Sequence, residues 1–395
     1  MTVASYIGQS GSFSLMKNLN LEKVYRTVLL NAPISRADIS RLTGLNKVTV
    51  SNCIKDLLSE DIVREEGVVS ADNGRPPMML QLSESFGVII GVELSGISTN
   101  VMITDLRGNI LEKTVRDPKL YKPGELVEML HAIVNECNTK FKTTHGVAGM
   151  GVALPLNYNQ LDEQEDNHPL PSWKGVDAGK LLRDSFPDIP IEILNTAAAG
   201  TIGEIHFGSA NTDTYLAYIH GNWNLKMDVY AGSDTYSSIS AFGGKIGKVL
   251  VDKDKDGKAV PLDELASVRS LIEELYPNTD KSRFEAVKEL HERQKNKDPE
   301  VDKKILKMLD YLAVGLYDVV QLFRPDRICI GGYLGMTFAD GYMDILNEKL
   351  DALIPPHNRR GRKVVCSEFG MFNVCFGCVS WIKDNIISYI FSEEN

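Results

Sequence analysis

Residues 35–58 read SRADISRLTGLNKVTVSNCIKDLL, and the spacing of residue types within them decides the fold of the N-terminal part. Ser35 stands three residues before Asp38, a pairing that opens and caps a short helix. Gly44 then breaks that helix, as a position requiring positive φ does. Asn46 is a second cap and opens a helix from Lys47 to about Glu60. On it Val50, Ile54, Leu57 and Leu58 form one apolar stripe. Two helices joined by Thr43-Gly44-Leu45-Asn46 match a helix-turn-helix, whose second helix enters the major groove of DNA.

Working outward, Leu21, Val24, Val28 and Leu29 share a face of a helix predicted from about Leu19 to Asn31, closed by Ala32-Pro33. Ile39 and Leu42 are expected to face inward on the helix after it. Downstream, IVREEGVV reads as a strand, and SADNGRPPMMLQL as a Gly/Pro loop entering another. That is a wing. Residues 13–82 are therefore read as a winged helix-turn-helix, after a small, polar tail at 1–12.

If Val50 and Ile54 face the core, Lys47, Thr49, Ser51, Asn52 and Lys55 face outward. Asn52 can bond adenine through both its amide groups, and Thr49 can meet a thymine methyl or a phosphate. Lys47, Lys55, Arg36 and Arg41 suit phosphate. Arg75, on a proline-stiffened loop, either enters a narrow minor groove or belongs to a plain linker turn. The chain's formal net charge is −10, so its overall field does not attract nucleic acid. Asp56, Glu60, Asp61, Glu65 and Glu66 dilute the local positive charge further. A single unit should bind at about micromolar strength or weaker, and a dimer reading two half-sites is expected.

From about Ser85 strands and helices alternate. FGVIIGVELSG and NVMITDLRGNILEKTV read as strands, with a hairpin at Arg107-Gly108-Asn109 in the second. PGELVEMLHAIVNECNTKFK is an amphipathic helix, and VAGMGVALPL a buried strand. YLAYIHG and RICIGGYLG are later strands around a long helix from Asp302 to Phe323. This is an α/β body. With 43% hydrophobic and 24% charged residues among 395, the composition is that of an ordinary soluble protein. The N-terminal residues carry no secretory pattern, and no apolar run suggests a membrane span. Six scattered cysteines fit a reducing cytoplasm. Cys375 and Cys378 fall in an apolar stretch that reads as a buried helix rather than a metal or redox site.

The order of these landmarks resembles the ROK family of repressors, open reading frames and sugar kinases, specifically its repressor branch, from about Leu21 to the C-terminus. Gly74-Arg75-Pro76 closes the helix-turn-helix unit. GVELSGISTNVMITDLRGNIL resembles the family's first phosphate hairpin, and GMGVALPL its second glycine strand. LNTAAAGTIGE resembles the Asn-Asp helix start, GGKIGK the Gly-Glu-x-Gly-His segment, PLDELAS the end of the cysteine-rich segment, and RPDRICIGG the late glycine strand. The resemblance implies a two-lobed, actin- or hexokinase-like (ribonuclease H-like) body. Lobe 1 would span 83–193 with the helix 379–395, and lobe 2 would span 194–378. It also implies double-stranded operator DNA as partner, a carbohydrate-related regulon and a dimer or tetramer.

The chain departs from the family where the chemistry lies. The family's Asp of the Asn-Asp pair takes the sugar proton, and here the pair is Asn195-Thr196; a hydroxyl is no base near neutral pH. The hairpin Asp-x-Gly-Gly-Thr becomes Glu93-Leu94-Ser95-Gly96-Ile97. The second phosphate loop becomes Asn222-Trp223-Asn224-Leu225. Gly-His becomes Gly247-Lys248, and VDKDKDGKAVPLDE holds no cysteine, so neither zinc nor another cofactor is expected. By resemblance, the effector site would comprise Asn195, Thr196, Lys245, Lys248 and Asp263. Two lysines in place of Glu and His either favour an anionic effector (a sugar phosphate or sugar acid), or mark a cleft that binds nothing. The competing readings are a divergent but active ATP-dependent sugar kinase, and a DNA-binding protein whose body only dimerises.

Overall fold

The computed structural model describes residues 13–67, 78–117, 121–155, 169–208, 215–232, 244–339, 341–359 and 363–391. The N-terminal unit contains α1 (Phe13–Asn31), α2 (Arg36–Thr43) and α3 (Lys47–Ser59), with strands β1 (Ile34–Ser35), β2 (Val63–Glu66) and β3 (Met79–Leu82). The strands form an antiparallel sheet in the order β1-β3-β2, with Ile34 opposite Leu80 and Val63 opposite Leu82. Ser35 Oγ caps α2 by accepting the Asp38 N–H at 3.1 Å. Gly44 sits at φ +72°, and Asn46 Oδ1 accepts the Thr49 N–H at 2.8 Å.

Two expectations need correction. Helix α1 starts at Phe13, not near Leu19; tertiary contacts hold its first turns, with Asn18 Nδ2 donating to the Phe391 carbonyl and Lys17 paired with Asp56 at 2.9 Å. Leu42 points to solvent, 53% exposed. Thr43 takes the inward place instead, its hydroxyl donating to the Ile39 carbonyl at 2.6 Å. Arg75 lies outside the described residues.

Among the described residues the body has two large sheets and one two-stranded hairpin. The first has the order β6-β5-β4-β7-β8, from β4 (Val88–Leu94), β5 (Thr99–Asp105), β6 (Ile110–Arg116), β7 (Val147–Leu154) and β8 (Ile191–Asn195). β4, β7 and β8 run parallel, and β5 and β6 are antiparallel additions. Both faces are buried, which is why β4 and β7 are almost wholly apolar. Val88, Ile90 and Val92 pack with α4 (Pro123–Lys140) and α5 (Ala178–Ser185). Ile89 and the glycines face α13 (Asn373–Phe391). A Cβ on Gly151 would lie 2.8 Å from the Cys378 carbonyl oxygen, so glycine there lets the helix meet the strand. The apolar, largely buried α13 could cross a membrane by length and composition alone; here it is the central core helix, also packed on α6 (Thr196–His206).

The second sheet has the order β10-β9-β13-β14, with β9 (Tyr215–Gly221), β10 (Leu225–Ala231), β13 (Arg327–Gly331) and β14 (Lys363–Cys366). A hairpin of β11 (Leu250–Lys253) and β12 (Ala259–Pro261) precedes helices α7 (Asp263–Ala266), α8 (Val268–Leu275), α9 (Arg283–Lys295) and α10 (Pro299–Phe323). Helices α11 (Gly332–Phe338) and α12 (Tyr342–Leu353) complete this half. Cys375 and Cys378 are buried free thiols, and burial pushes both well above the ordinary thiol range.

Candidate functional site

The outward face of α3 is a single row. Val48, Asn52, Lys55 and Ser59 are all exposed, and their spacing of four, three and four residues places them on one line along the helix. Lys47 is exposed at its start, and Thr49 and Ser51 are half-buried on its flanks. Lys47 and Lys55 have no carboxylate partner among the described residues. Arg36 is paired with Glu65 at 2.8 Å, and Arg41 with Asp38 at 2.9 Å. Such exposed pairs are worth about 0–1 kcal/mol, so a phosphate can compete for either arginine.

The far end of α3 is fastened to the body. Asp61 stands at φ +56° just past the helix. Its carboxylate accepts hydroxyl protons from Ser83, Ser85 and Thr144, at 2.9, 2.9 and 2.8 Å. Burial works against its charge, but the three hydroxyls hold it below the usual carboxylate range. His145 Nε2 is 3.0 Å from the Glu60 carbonyl. Thr144 and His145 lead directly into β7. On the other side, the buried Tyr25 hydroxyl of α1 donates to the Lys383 carbonyl of α13 at 2.6 Å. Arg107 bridges Glu66 of β2 and Glu84. The cores of the N-terminal unit and of the α13 face of the first sheet are continuous, so α3 is rigidly coupled to β7 and α13.

Between the two sheets the hairpin from Glu93 to Ile97 has turned its own polarity inward. Ser95 Oγ accepts the N–H groups of Ile97 and Ser98 at 3.2 and 3.1 Å. A glycine at this position would leave those N–H groups for an anion. Ile97 is fully buried in the core of the second lobe, with Trp223 and Leu225. Glu93, also fully buried, accepts from Asn222 at 3.0 Å and Asn100 at 2.9 Å, and lies 3.1 Å from His220 Nε2. Arg283 seals the seam: it donates to the Gly96 and Pro169 carbonyls at 3.3 and 2.9 Å, with its guanidinium 4.0 Å from the centre of the Trp223 ring. Burial pushes the Arg283 pKa down to about 10.

The residues expected to hold an effector divide into two groups. Asn195 ends β8 and caps α6, accepting the Ala197 N–H at 2.9 Å. Thr196 is fully buried, and its hydroxyl has no hydrogen-bond partner among the described residues. The other three residues surround β10. Buried Asp263 accepts the Leu225 N–H at 2.7 Å and an Asn224 Nδ2 proton at 3.2 Å. Burial raises its pKa, opposed by these bonds and by the charges of Lys248 and Lys226. Gly247 presses on it so closely that a Cβ there would lie 2.2 Å from a carboxylate oxygen. Lys248 is exposed and Lys245 half-buried. The donor set does not suit zinc: among the described residues no three His, Cys, Asp or Glu side chains are grouped so as to hold a metal ion, and residues 249–262 contain neither Cys nor His.

A model of the ROK family matches residues 89–385. The chain belongs to the ROK family. A xylose repressor of Caldicellulosiruptor bescii is 25% identical over 399 residues, covering 96% of this chain and 99% of its own. The xylose repressor of Bacillus subtilis is 26% identical over 330 residues, covering 80% and 83%. A solved ROK family transcriptional regulator, a homologue of the E. coli MLC protein, superposes with a TM-score of 0.70 at 18% identity over 95% of this chain and 98% of its own. A ROK family glucokinase from Streptomyces griseus, solved with glucose and AMPPNP, gives 0.61 at 18% identity over 75% and 99%. The ROK match begins after β3, so the N-terminal unit is an addition to the family body. Sequence reasoning located Glu93, Ser95 and Ile97 as departures from that body. It did not foresee that Ser95 satisfies its own hairpin, or that Arg283, nearly 190 residues further on, closes it.

Proposed function

We propose that this ROK protein is a sequence-specific DNA-binding repressor of sugar-related genes, and that its body senses an effector without transferring phosphate. The unit α1–α3 with β1–β3 acts as a winged helix-turn-helix: α3 lies in the major groove, Asn52 reads a base, and Lys47, Lys55, Arg36 and Arg41 take phosphates, with Thr49 and Ser51 at the flanks. Arg75, which lies outside the described residues, is proposed as a further DNA contact on its sequence alone. The unit ends near residue 82, and the lobes of the body meet near residue 194. The observation that carries this reading is the exposed α3 row, backed by one continuous buried core and fastened at its far end to the body. The xylose repressors among the relatives support a sugar as effector. The site proposed for it comprises Asn195, Thr196, Lys245, Lys248 and Asp263, where two lysines favour a phosphorylated or acidic sugar.

The route from cleft to DNA is mechanical. Any shift of α6 at Thr196 moves α13, on which it packs. Helix α13 holds α1 through Tyr25, and β7 holds α3 through Thr144 and His145. An effector releases DNA only by binding one arrangement of these elements better than the other. Two copies reading two half-sites multiply the selectivity.

The test is to select duplexes from a randomised pool with the full-length protein, then titrate the best one with pentoses, hexoses, sugar phosphates and uronic acids. Retention of a preferred duplex, weakened by one of these ligands, is expected. Sugar-dependent ATP turnover without retention of any duplex would replace this reading with an active kinase.

A further inference from the structure

On α3 the large apolar side chains Val50, Ile54, Leu57 and Leu58 are buried or half-buried, whereas Val48 is 71% exposed. No contact of its side chain with the core is seen among the described residues. The cap of α3 is Asn46, the core beneath the helix is complete without it, and a β-branched residue weakens a helix slightly. Yet Val48 occupies the first place in the outward row, four residues before Asn52, with the Lys47 cation beside it.

We infer that Val48 reads DNA: its methyl groups pack against the 5-methyl group of a thymine in the major groove, close to the base taken by Asn52. The inference rests on the assignment of α3 to DNA. Four residues of helix rise about 6 Å, and successive bases on a strand are about 3.4 Å apart. Val48 and Asn52 therefore meet base pairs one or two steps apart. The thymine methyl is the apolar group exposed on base edges in the major groove, so an apolar reader selects thymine. The rest of the row is an amide, an ammonium and a hydroxyl. A protein partner would instead require a contiguous apolar patch.

The experiment uses full-length protein and a duplex selected from a randomised pool. Each thymine is replaced singly by deoxyuracil, which removes only the methyl. One replacement per half-site should weaken binding about fourfold, and Val48→Ala should bind the thymine and uracil duplexes equally. Asn52→Ala should lose its adenine preference while keeping the uracil penalty. A selected duplex that tolerates uracil at every thymine overturns the inference alone, as does a uracil penalty that persists in Val48→Ala. A pool that yields no preferred duplex overturns the DNA assignment of α3, and this inference with it.

Discussion

The outward face of α3 and the hairpin between the lobes both sit where a phosphate-bearing ligand would approach, and they treat their hydrogen-bonding groups in opposite ways. On α3 the core lies wholly beneath the helix, so Asn52, Lys47 and Lys55 stay in solvent with their donors available. In the hairpin Ser95 takes the Ile97 and Ser98 N–H groups, Ile97 enters the neighbouring lobe, and Glu93 is locked into a buried network. A binding surface is defined less by residue type than by whether its donors are already satisfied. An anion approaching the hairpin would have to displace Ser95 from both N–H groups. One approaching α3 displaces only water and weak surface ion pairs.

The sharpest break of this contrast is at Asn52. Losing a bidentate base contact costs about 1–3 kcal/mol, so in a dimer Asn52→Ala should weaken a selected duplex by about two to four orders of magnitude, read by fluorescence anisotropy. Thermal unfolding should be unchanged because the side chain is exposed. An affinity within a factor of three of the parent would move base reading off this helix.

The hairpin gives the complementary measurement. Ile97→Thr restores the family's hydroxyl but buries it in an apolar core, at an expected cost of about 2–3 kcal/mol in chemical denaturation. Nucleotide should not bind, because Ser95 still holds the hairpin N–H groups. If Ile97→Thr unfolds at the parental midpoint and takes up ATP, the lobes are not plugged as described.

At the junction of the two regions, Asp61→Ala removes three hydroxyl contacts to a partly exposed carboxylate, worth about 1–2 kcal/mol after solvent screening. The native Asp61 carboxyl lies below its unfolded value, so its stabilising contribution is present above about pH 4 and is lost as pH falls through the folded pKa. The stability gap between the parent and Asp61→Ala should therefore narrow in acid to what Ala costs at φ +56°. Equal stability at pH 7 would mean that α3 is not held by this contact.

Much of this was legible in the sequence because the signals were local. Ser35, Gly44 and Asn46 each act on a backbone group within a few residues, so caps and turn could be placed directly. The α/β texture followed from apolar runs long enough to be buried on both faces. The cleft was legible only as a set of departures from a family pattern, since its closure depends on Arg283 reaching Gly96 and Pro169 across the fold. Leu42 escaped because periodicity assigns apolar residues inward, and here it faces water; Val48 drew no reading because it lies off the stripe of Val50, Ile54, Leu57 and Leu58. The Asp61 anchor escaped because Thr144 is distant in sequence.

The smallest expected effect bears on whether the cleft still recognises anything. By resemblance Thr196 stands in place of the family's proton acceptor, and its hydroxyl is buried without a partner among the described residues. If the site has no ligand, that unsatisfied group is only a cost, and Thr196→Val, which has the same shape, should raise stability by up to about 1 kcal/mol and leave everything else alone. If the hydroxyl is kept for an effector, the stability gain should remain. The melting-temperature rise that an effector gives the parent should then disappear. Parallel thermal shifts of parent and Thr196→Val across sugars, sugar phosphates and uronic acids separate the two cases. A ligand that shifts both equally would place the effector contact elsewhere, toward Lys245, Lys248 and Asp263 around β10.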